Sequence, residues 1–341
     1  MKTQNTSLIF LILSILILPE SILANVIIVD NKLNINNEAF YIKGIAYHPV
    51  PKGNSGNQRS FKNIDKDLAL MREAGINTIR VYKPIDDEGI LNKINNAGIK
   101  IIIGFGFNQD GFYDIKSGSF INYVKKYKDH PAILIWELGN EYNFNPQWFD
   151  GDISIWYQYL KNAVDLIHEV DMNHPVSTSH GEIPDELAMS MISNIDIWGF
   201  NIYRWDKPES FIKEWVQISS KPMYFSEVGA DSYMTIERDG FKKGINQKAQ
   251  AHANAIILEK ILKNSNHNLG LVLFEFHDGW WKAGNPHEHD SGGWAPMSSG
   301  VPYDGTANEE FWGIVDIDRN KKLTFDVVKD KFNNFLLDKR Q

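Results

Sequence analysis

Two glutamates, Glu141 and Glu227, stand at the ends of apolar, β-branched runs, in "AILIWELGNEYN" (132–143) and "PMYFSEVG" (222–229). Such runs read as strands buried on both faces, so a carboxyl group at their ends sits where burial makes it expensive. Two carboxyl groups facing one another across a cleft can hydrolyse a glycosidic bond. One protonates the leaving oxygen and the other attacks or stabilises the anomeric carbon. Either glutamate alone could cap a following helix or pair with an arginine; two at corresponding strand ends point to catalysis.

The elements that would bring them together recur along the chain. "LALMREAGINTIRVY" (68–82) and "LNKINNAGIKIIIGF" (91–105) each run from a polar amphipathic stretch through a glycine into a β-branched segment. Gly75 and Gly98 can take the left-handed conformation that ends a helix, and the runs after them read as strands. Eight strand candidates follow in order: 40–46, 77–82, 99–105, 132–138, 175–179, 195–201, 222–226 and 270–276. Helical patterns lie between them, as in "WYQYLKNAVDLIHEV" and "QKAQAHANAIILEKILK", and a last helix is expected at about 325–337. This alternation predicts an α/β fold, a (β/α)₈ TIM barrel built as one domain over 25–341, with an open doubly wound sheet as the alternative. "GFGFNQDG" lacks the glycine spacing of a dinucleotide site. In a barrel the carboxyl ends of the strands form the active face, which is where Glu141 and Glu227 fall.

Bulk properties narrow the partners. The chain has 341 residues, 43% hydrophobic and 12% aromatic, so a sizeable core is available. Its net charge of -8 argues against nucleic acid or an anionic membrane surface, both of which need a basic face. A neutral polyol fits better. Residues 1–24 read as a signal peptide, with Lys2, an apolar run from Leu8 to Leu18 and Ala24 at the cleavage point. That run is shorter than the roughly 20 residues that span a bilayer. The expectation is a secreted or periplasmic protein with no membrane attachment after cleavage. There is no cysteine, hence neither disulfide nor thiol nucleophile.

Four segments in order resemble the retaining β-glycosidases of glycoside hydrolase clan A. "HPAILIWELGNEYN" is similar to the fourth-strand segment of that clan and "YFSEVGADSY" to its seventh. "NTIRVY" matches a second strand with its rim arginine, and "IDIWGFNIYRW" a sixth strand with Asn-x-Tyr. The likeness runs from "FYIKGIAYHP" to "FWGIVDIDRN". Family 5, family 72 and family 2 catalytic domains each share part of it. Family 5 usually has His where Asn201 stands, family 2 enzymes carry β-sandwich domains ahead of the barrel, and family 72 enzymes typically bear disulfides.

The resemblance implies a role for each residue. Glu141 would be the general acid/base and Glu227 the nucleophile; a separation of about 5 to 5.5 Å means retention, about 6.5 to 9.5 Å inversion. Asn140 would bind the sugar 2-hydroxyl, while Arg80 and Tyr203 would hydrogen-bond Glu227, keeping it ionised and aimed. Trp280 or Trp281 would floor the sugar. The substrate would be a β-linked polysaccharide such as β-glucan or β-mannan, hydrolysed or transglycosylated without a cofactor by a monomer.

Other residues carry weaker signals. Trp312 and Trp198 read as core. His180, which ends "STSH", reads as a rim residue able to touch substrate or to make a structural hydrogen bond. "NPHEHD" (285–290), with His277 and Asp278, has the residue types of a metal site, but an exposed polar loop explains it as well, and no metal is assigned. "DIDRNKKLTFDV" fails as a calcium loop because Lys321 and Val327 occupy the positions of Gly and Glu. Two other readings stay open: a carbohydrate-binding protein on a non-catalytic barrel, and a metal-dependent hydrolase using His287 and His289.

Overall fold

A computed structural model describes residues 25–109, 112–291 and 303–336. The expected signal peptide lies outside the described residues.

The eight expected strands are all present: β1 (Ile42–Ala46), β2 (Thr78–Val81), β3 (Lys100–Phe105), β4 (Ile133–Asn140), β5 (Val176–Gly181), β6 (Ile197–Asn201), β7 (Met223–Val228) and β8 (Gly270–Leu273). Each pairs in parallel with its sequence neighbours, and β8 pairs with β1, so the sheet closes into a barrel and the open-sheet alternative falls. Closure leaves no edge strand exposed. The helices of the ring are α1 (Ile64–Glu73), α2 (Glu88–Asn96), α3 (Phe120–Tyr127), α4 (Ile153–Val170), α5 (Glu186–Met191), α6 (Pro208–Ile218), α7 (Gln247–Leu262) and α8 (Leu323–Asn333).

Local chemistry sets the element ends. Asp87, Asp152, Asp185 and Asn246 accept backbone N–H bonds at the starts of α2, α4, α5 and α7, satisfying donors that a helix cannot pair internally. Gly75 and Gly98 sit at φ +75° and +71° just past α1 and α2, the left-handed turn the sequence called for.

Two apolar layers hold the barrel. Outward-facing strand residues such as Ile79, Ile101, Ile103, Trp136, Trp198 and Phe225 pack under the helices. Inside, Ile42, Ala46, Ile102, Leu134, Ile197 and Val272 fill the lumen. Three short strands absent from the sequence reading, Val26–Val29, Lys32–Ile35 and Glu38–Phe40, form an antiparallel meander whose Val26 and Leu33 join the lumen cluster. The meander thereby closes the lumen at the amino-terminal end of the barrel, and the carboxyl-terminal end stays open.

Candidate active site

The upper lumen is polar and is organised by one cation. Arg80, fully buried on β2, reaches three side chains at once. Its Nε donates to Glu137 Oε1 and Oε2 (2.8 and 3.0 Å), Nη1 donates to Glu227 Oε1 (2.7 Å), and Nη2 donates to Asn140 Oδ1 (2.8 Å). Burial works against this charge, and the carboxylates of Glu137 and Glu227 more than compensate, so the guanidinium stays cationic. Tyr224 also donates to Glu137. The planar fork of arginine suits a site where three acceptors lie in different directions.

Glu227, near the end of β7, accepts three bonds. Besides Arg80, Tyr82 Oη donates to Oε1 (2.8 Å) and Tyr203 Oη donates to Oε2 (2.9 Å). Burial, then the charge of Glu227, pushes both phenols well above their ordinary pKa, so they remain O–H donors. The carboxylate is fixed in direction by three side chains from β2 and the loop after β6. Register irregularities on both sides of β7 flank it, a common means of re-aiming a side chain beside an active site.

Glu141 is treated differently. It follows β4 through Gly139 at φ +76° and itself adopts φ +54°, with its N–H donating to Ser179 O (2.9 Å). This tight turn swings the side chain into the mouth of the barrel. Its carboxyl accepts one hydrogen bond, from Asn201 Nδ2 (3.0 Å), while Asn201 Oδ1 is fixed by the hydroxyls of Ser179 and Ser226 (both 2.8 Å). Burial, followed by the nearby charge of Glu227, raises the Glu141 pKa to about 7. At neutral pH or below it is a proton donor beside a carboxylate acceptor, the division of labour two-carboxyl chemistry requires. Asn140 Oδ1 accepts from both Arg80 and Asn201, which leaves its NH₂ for a ligand hydroxyl.

These groups line a cleft of about 770 Å³. Its far wall comes from the β1 and β8 loops: His48, Phe274, Glu275, Trp281, Lys282, Glu309 and Trp312. A second compartment of about 920 Å³ continues from it through Tyr82, Lys83 and Asn140 toward Tyr142 and the exposed Trp148. A groove of this length suits an oligosaccharide better than a single sugar.

Of the residues singled out in the sequence, Glu141, Glu227, Arg80, Asn140, Tyr203 and Trp281 converge here. His180 does not. Its ring lies edge-on to Trp198 and Phe200, with Nδ1 against Glu182 O (3.1 Å), because alternation along β5 turns it to the helix-facing side. Trp280 is also displaced, stacked on His289 with Lys52 Nζ 4.0 Å from its ring, while its neighbour Trp281 takes the cleft. Trp312 is buried yet lines the cleft, packing on Tyr203 and Phe274, so the core reading of that residue gives way to a double role.

Sequence reasoning missed Tyr82, Asn201 as the holder of Glu141, Glu137, Phe274, Lys282 and Glu309. Tyr82 was within reach, two residues past Arg80 and so on the same side of the strand direction. Glu309 sits in a long connection with no periodicity to place it. Among the described residues no group of three or more His, Cys, Asp or Glu has a metal-binding arrangement. His277 Nδ1 faces Asp278 O, and His289 stacks on Phe311 with Nε2 3.1 Å from Glu310 O.

Comparison with known proteins adds sequence to this geometry. A glucanosyltransferase family model matches residues 17–152, and the TIM-barrel domain of glycosyl hydrolases family 2 matches residues 114–252. Together the two matches support a clan A glycoside hydrolase. Among relatives of this clan A barrel, 1,3-beta-glucanosyltransferase GAS4 of Saccharomyces cerevisiae is 23% identical over 276 residues, 69% of this chain and 58% of the yeast protein. Beta-glucuronidase of Mus musculus is 23% identical over 234 residues, 63% of this chain and 35% of the mouse protein. The chain spans roughly half the length of the curated relatives it matches. In fold it resembles a beta-glucuronidase of Lactobacillus rhamnosus (TM-score 0.69, 18% identity, 93% of this chain and 54% of that one). It also resembles a GH2 beta-galacturonidase of Eisenbergiella tayi (TM-score 0.68, 21% identity, 92% and 55%).

Proposed function

We propose that the chain is a retaining enzyme that processes β-1,3-glucan and transfers the cleaved glycan to a sugar acceptor, with Glu227 as nucleophile and Glu141 as acid/base. The observation that carries this reading is the unequal treatment of the two carboxyl groups. Glu227 accepts bonds from Arg80, Tyr82 and Tyr203, whereas Glu141 accepts one from Asn201 and is pushed up to about 7. The glucanosyltransferase match over residues 17–152 supports the choice of polymer.

In the first step an oxygen of Glu227 bonds to the anomeric carbon as the glycosidic C–O bond breaks. The departing electron pair stays on the leaving oxygen, which takes the proton of Glu141. Esterification removes the Glu227 charge, the second largest of the three causes that raise Glu141 after burial and ahead of Glu309, so Glu141 becomes a competent base. In the second step an acceptor hydroxyl gives its proton to Glu141, its oxygen bonds to the anomeric carbon, and the Glu227 carboxylate is released. Whether water or sugar wins depends on occupancy of the leaving-group side, and the second compartment supplies room for a carbohydrate acceptor. On this reading residues 1–24 direct export and 25–341 form the catalytic domain.

Incubation with a β-1,3-gluco-oligosaccharide of defined length is expected to give products both shorter and longer than the substrate, with β configuration at the new linkage by proton NMR. Glu141→Gln and Glu227→Gln should each abolish them. Sugar transfer surviving in both variants would overturn the assignment, and binding of the oligosaccharide without any turnover by the parent would favour the non-catalytic carbohydrate binder.

A further inference from the structure

Among the described residues, Glu309 is a carboxyl group without a hydrogen-bond partner, held in the cleft wall with its side chain 25% exposed. Among the described residues its one ion-pair neighbour, Lys282, lies 4.0 Å away and is engaged much more closely by Glu275 at 2.5 Å. Burial first, and then the charge of Glu227 in the same cleft, raise the Glu309 carboxyl above its ordinary pKa against the pull of Lys282, so its surroundings are unfavourable for an idle carboxylate. The backbone that presents it is nevertheless heavily anchored. Asn308 N donates to Asp231 Oδ2 (3.2 Å), and Asn308 Nδ2 donates to Tyr233 O (3.3 Å). On the other side, Glu310 accepts from Ala283 N (3.2 Å) and Asp290 N (2.6 Å), and Phe311 O accepts from Ser232 N (3.0 Å). A partly desolvated carboxyl on a backbone fixed from both sides is the mark of a group kept for a ligand rather than for stability.

A second observation concerns donors. The indole N–H groups of Trp281 and Trp312, both lining the same wall, are buried and without a partner, as is Nδ1 of His48. The wall therefore sets an acceptor carboxyl beside buried donors whose hydrogen bonds the described residues do not supply. A sugar hydroxyl both donates and accepts, so a neutral polyol satisfies such a set.

We propose that Glu309 is a specificity-determining residue: its carboxylate accepts hydroxyl groups of a neutral sugar bound against Glu227, and it excludes sugars bearing a carboxylate. Lys282, the nearest cation, cannot serve a uronic acid, because its charge is already met by Glu275 and faces Glu309. The assignment rests on the glycan-processing reading above and deepens it, separating this cleft from those of the glucuronidases and galacturonidases that share its fold.

The test compares β-1,3-gluco-oligosaccharides with the same oligosaccharides oxidised at C6 to uronic acids, on the parent, Glu309→Gln and Glu309→Asp. Charge-assisted hydrogen bonds are about twice as strong as neutral ones, so Glu309→Gln should lower the neutral-to-acidic ratio of kcat/KM by about tenfold or more. Glu309→Asp, shorter but still charged, should lose activity on the neutral sugar and still reject the acidic one. A structural role predicts equal losses on both substrates, and that result, or an unchanged ratio in Glu309→Gln, overturns the proposal. If the parent turns over neither substrate, the glycan-processing reading fails by itself. Dissociation constants of the same pair, measured by calorimetry on parent and Glu309→Gln, then decide the role of Glu309: a tenfold fall in preference supports it and an unchanged preference overturns it.

Discussion

The alkaline limb of activity offers the sharpest check on the catalytic pair. Glu141 is raised to about 7, by burial first and the Glu227 charge second, and the first step needs it protonated. The sign is that of an acid catalyst: activity is full well below 7 and is lost as pH rises through it. Roughly 90% of the acid form is present one unit below its pKa and about 10% one unit above, so kcat/KM should fall about tenfold per unit beyond pH 8. Glu275 and Glu310 are also pushed up to about 7, by burial, so a limb alone does not name its owner. The assignment comes from Glu141→Gln assayed on an aryl glycoside whose leaving group needs no proton. The variant should keep a measurable rate and lose the limb. Glu227→Gln removes one of the three raising causes, burial, Glu227 and Glu309, and carbon-13 NMR titration of Glu141 in that variant should report a pKa below the parent value. A limb that persists in Glu141→Gln, or a Glu141 pKa unmoved by Glu227→Gln, would refute the coupling argued here.

Two predictions concern the scaffold. Arg80→Met leaves Glu137 and Glu227 buried without their shared cation, and urea unfolding should show a loss of about 3–5 kcal/mol, partly recovered by adding Glu137→Met. Gly139→Ala should destabilise by about 2 kcal/mol or more, because the position sits at φ +76° and a Cβ there would lie 2.5 Å from the Trp156 ring; the unfolding midpoint checks it, and an unchanged midpoint would mean the turn before Glu141 is more pliable than its geometry implies.

The sequence by itself determined the barrel and much of its rim. Runs such as "INTIRVY" and "IKIIIGF" are apolar at successive positions, which a strand tolerates only when both faces are buried, and the glycines before them can end the preceding helices. Once eight such strands are counted, barrel geometry carries residues at their carboxyl ends to one face, so Glu141, Glu227, Asn140 and Arg80 could be named without coordinates. Strand alternation also held the information for Tyr82.

Tertiary structure alone decided which groups share a hydrogen bond and which are left without one. That Arg80 spans Glu137, Glu227 and Asn140 depends on the stagger of β2, β4 and β7 around a closed ring, a long-range relation with no local signature. The split between the two glutamates follows from burial and from the count of donors around each, and both are properties of the assembled mouth rather than of either segment. Adjacent residues can also part company: Trp281 enters the cleft while Trp280 stacks on His289. Glu309 is the clearest case. Its segment has neither period nor motif, and only the packing of the β8 loop against the β7 loop brings that carboxyl into the cleft that Asn140 also lines, with no hydrogen-bond partner among the described residues.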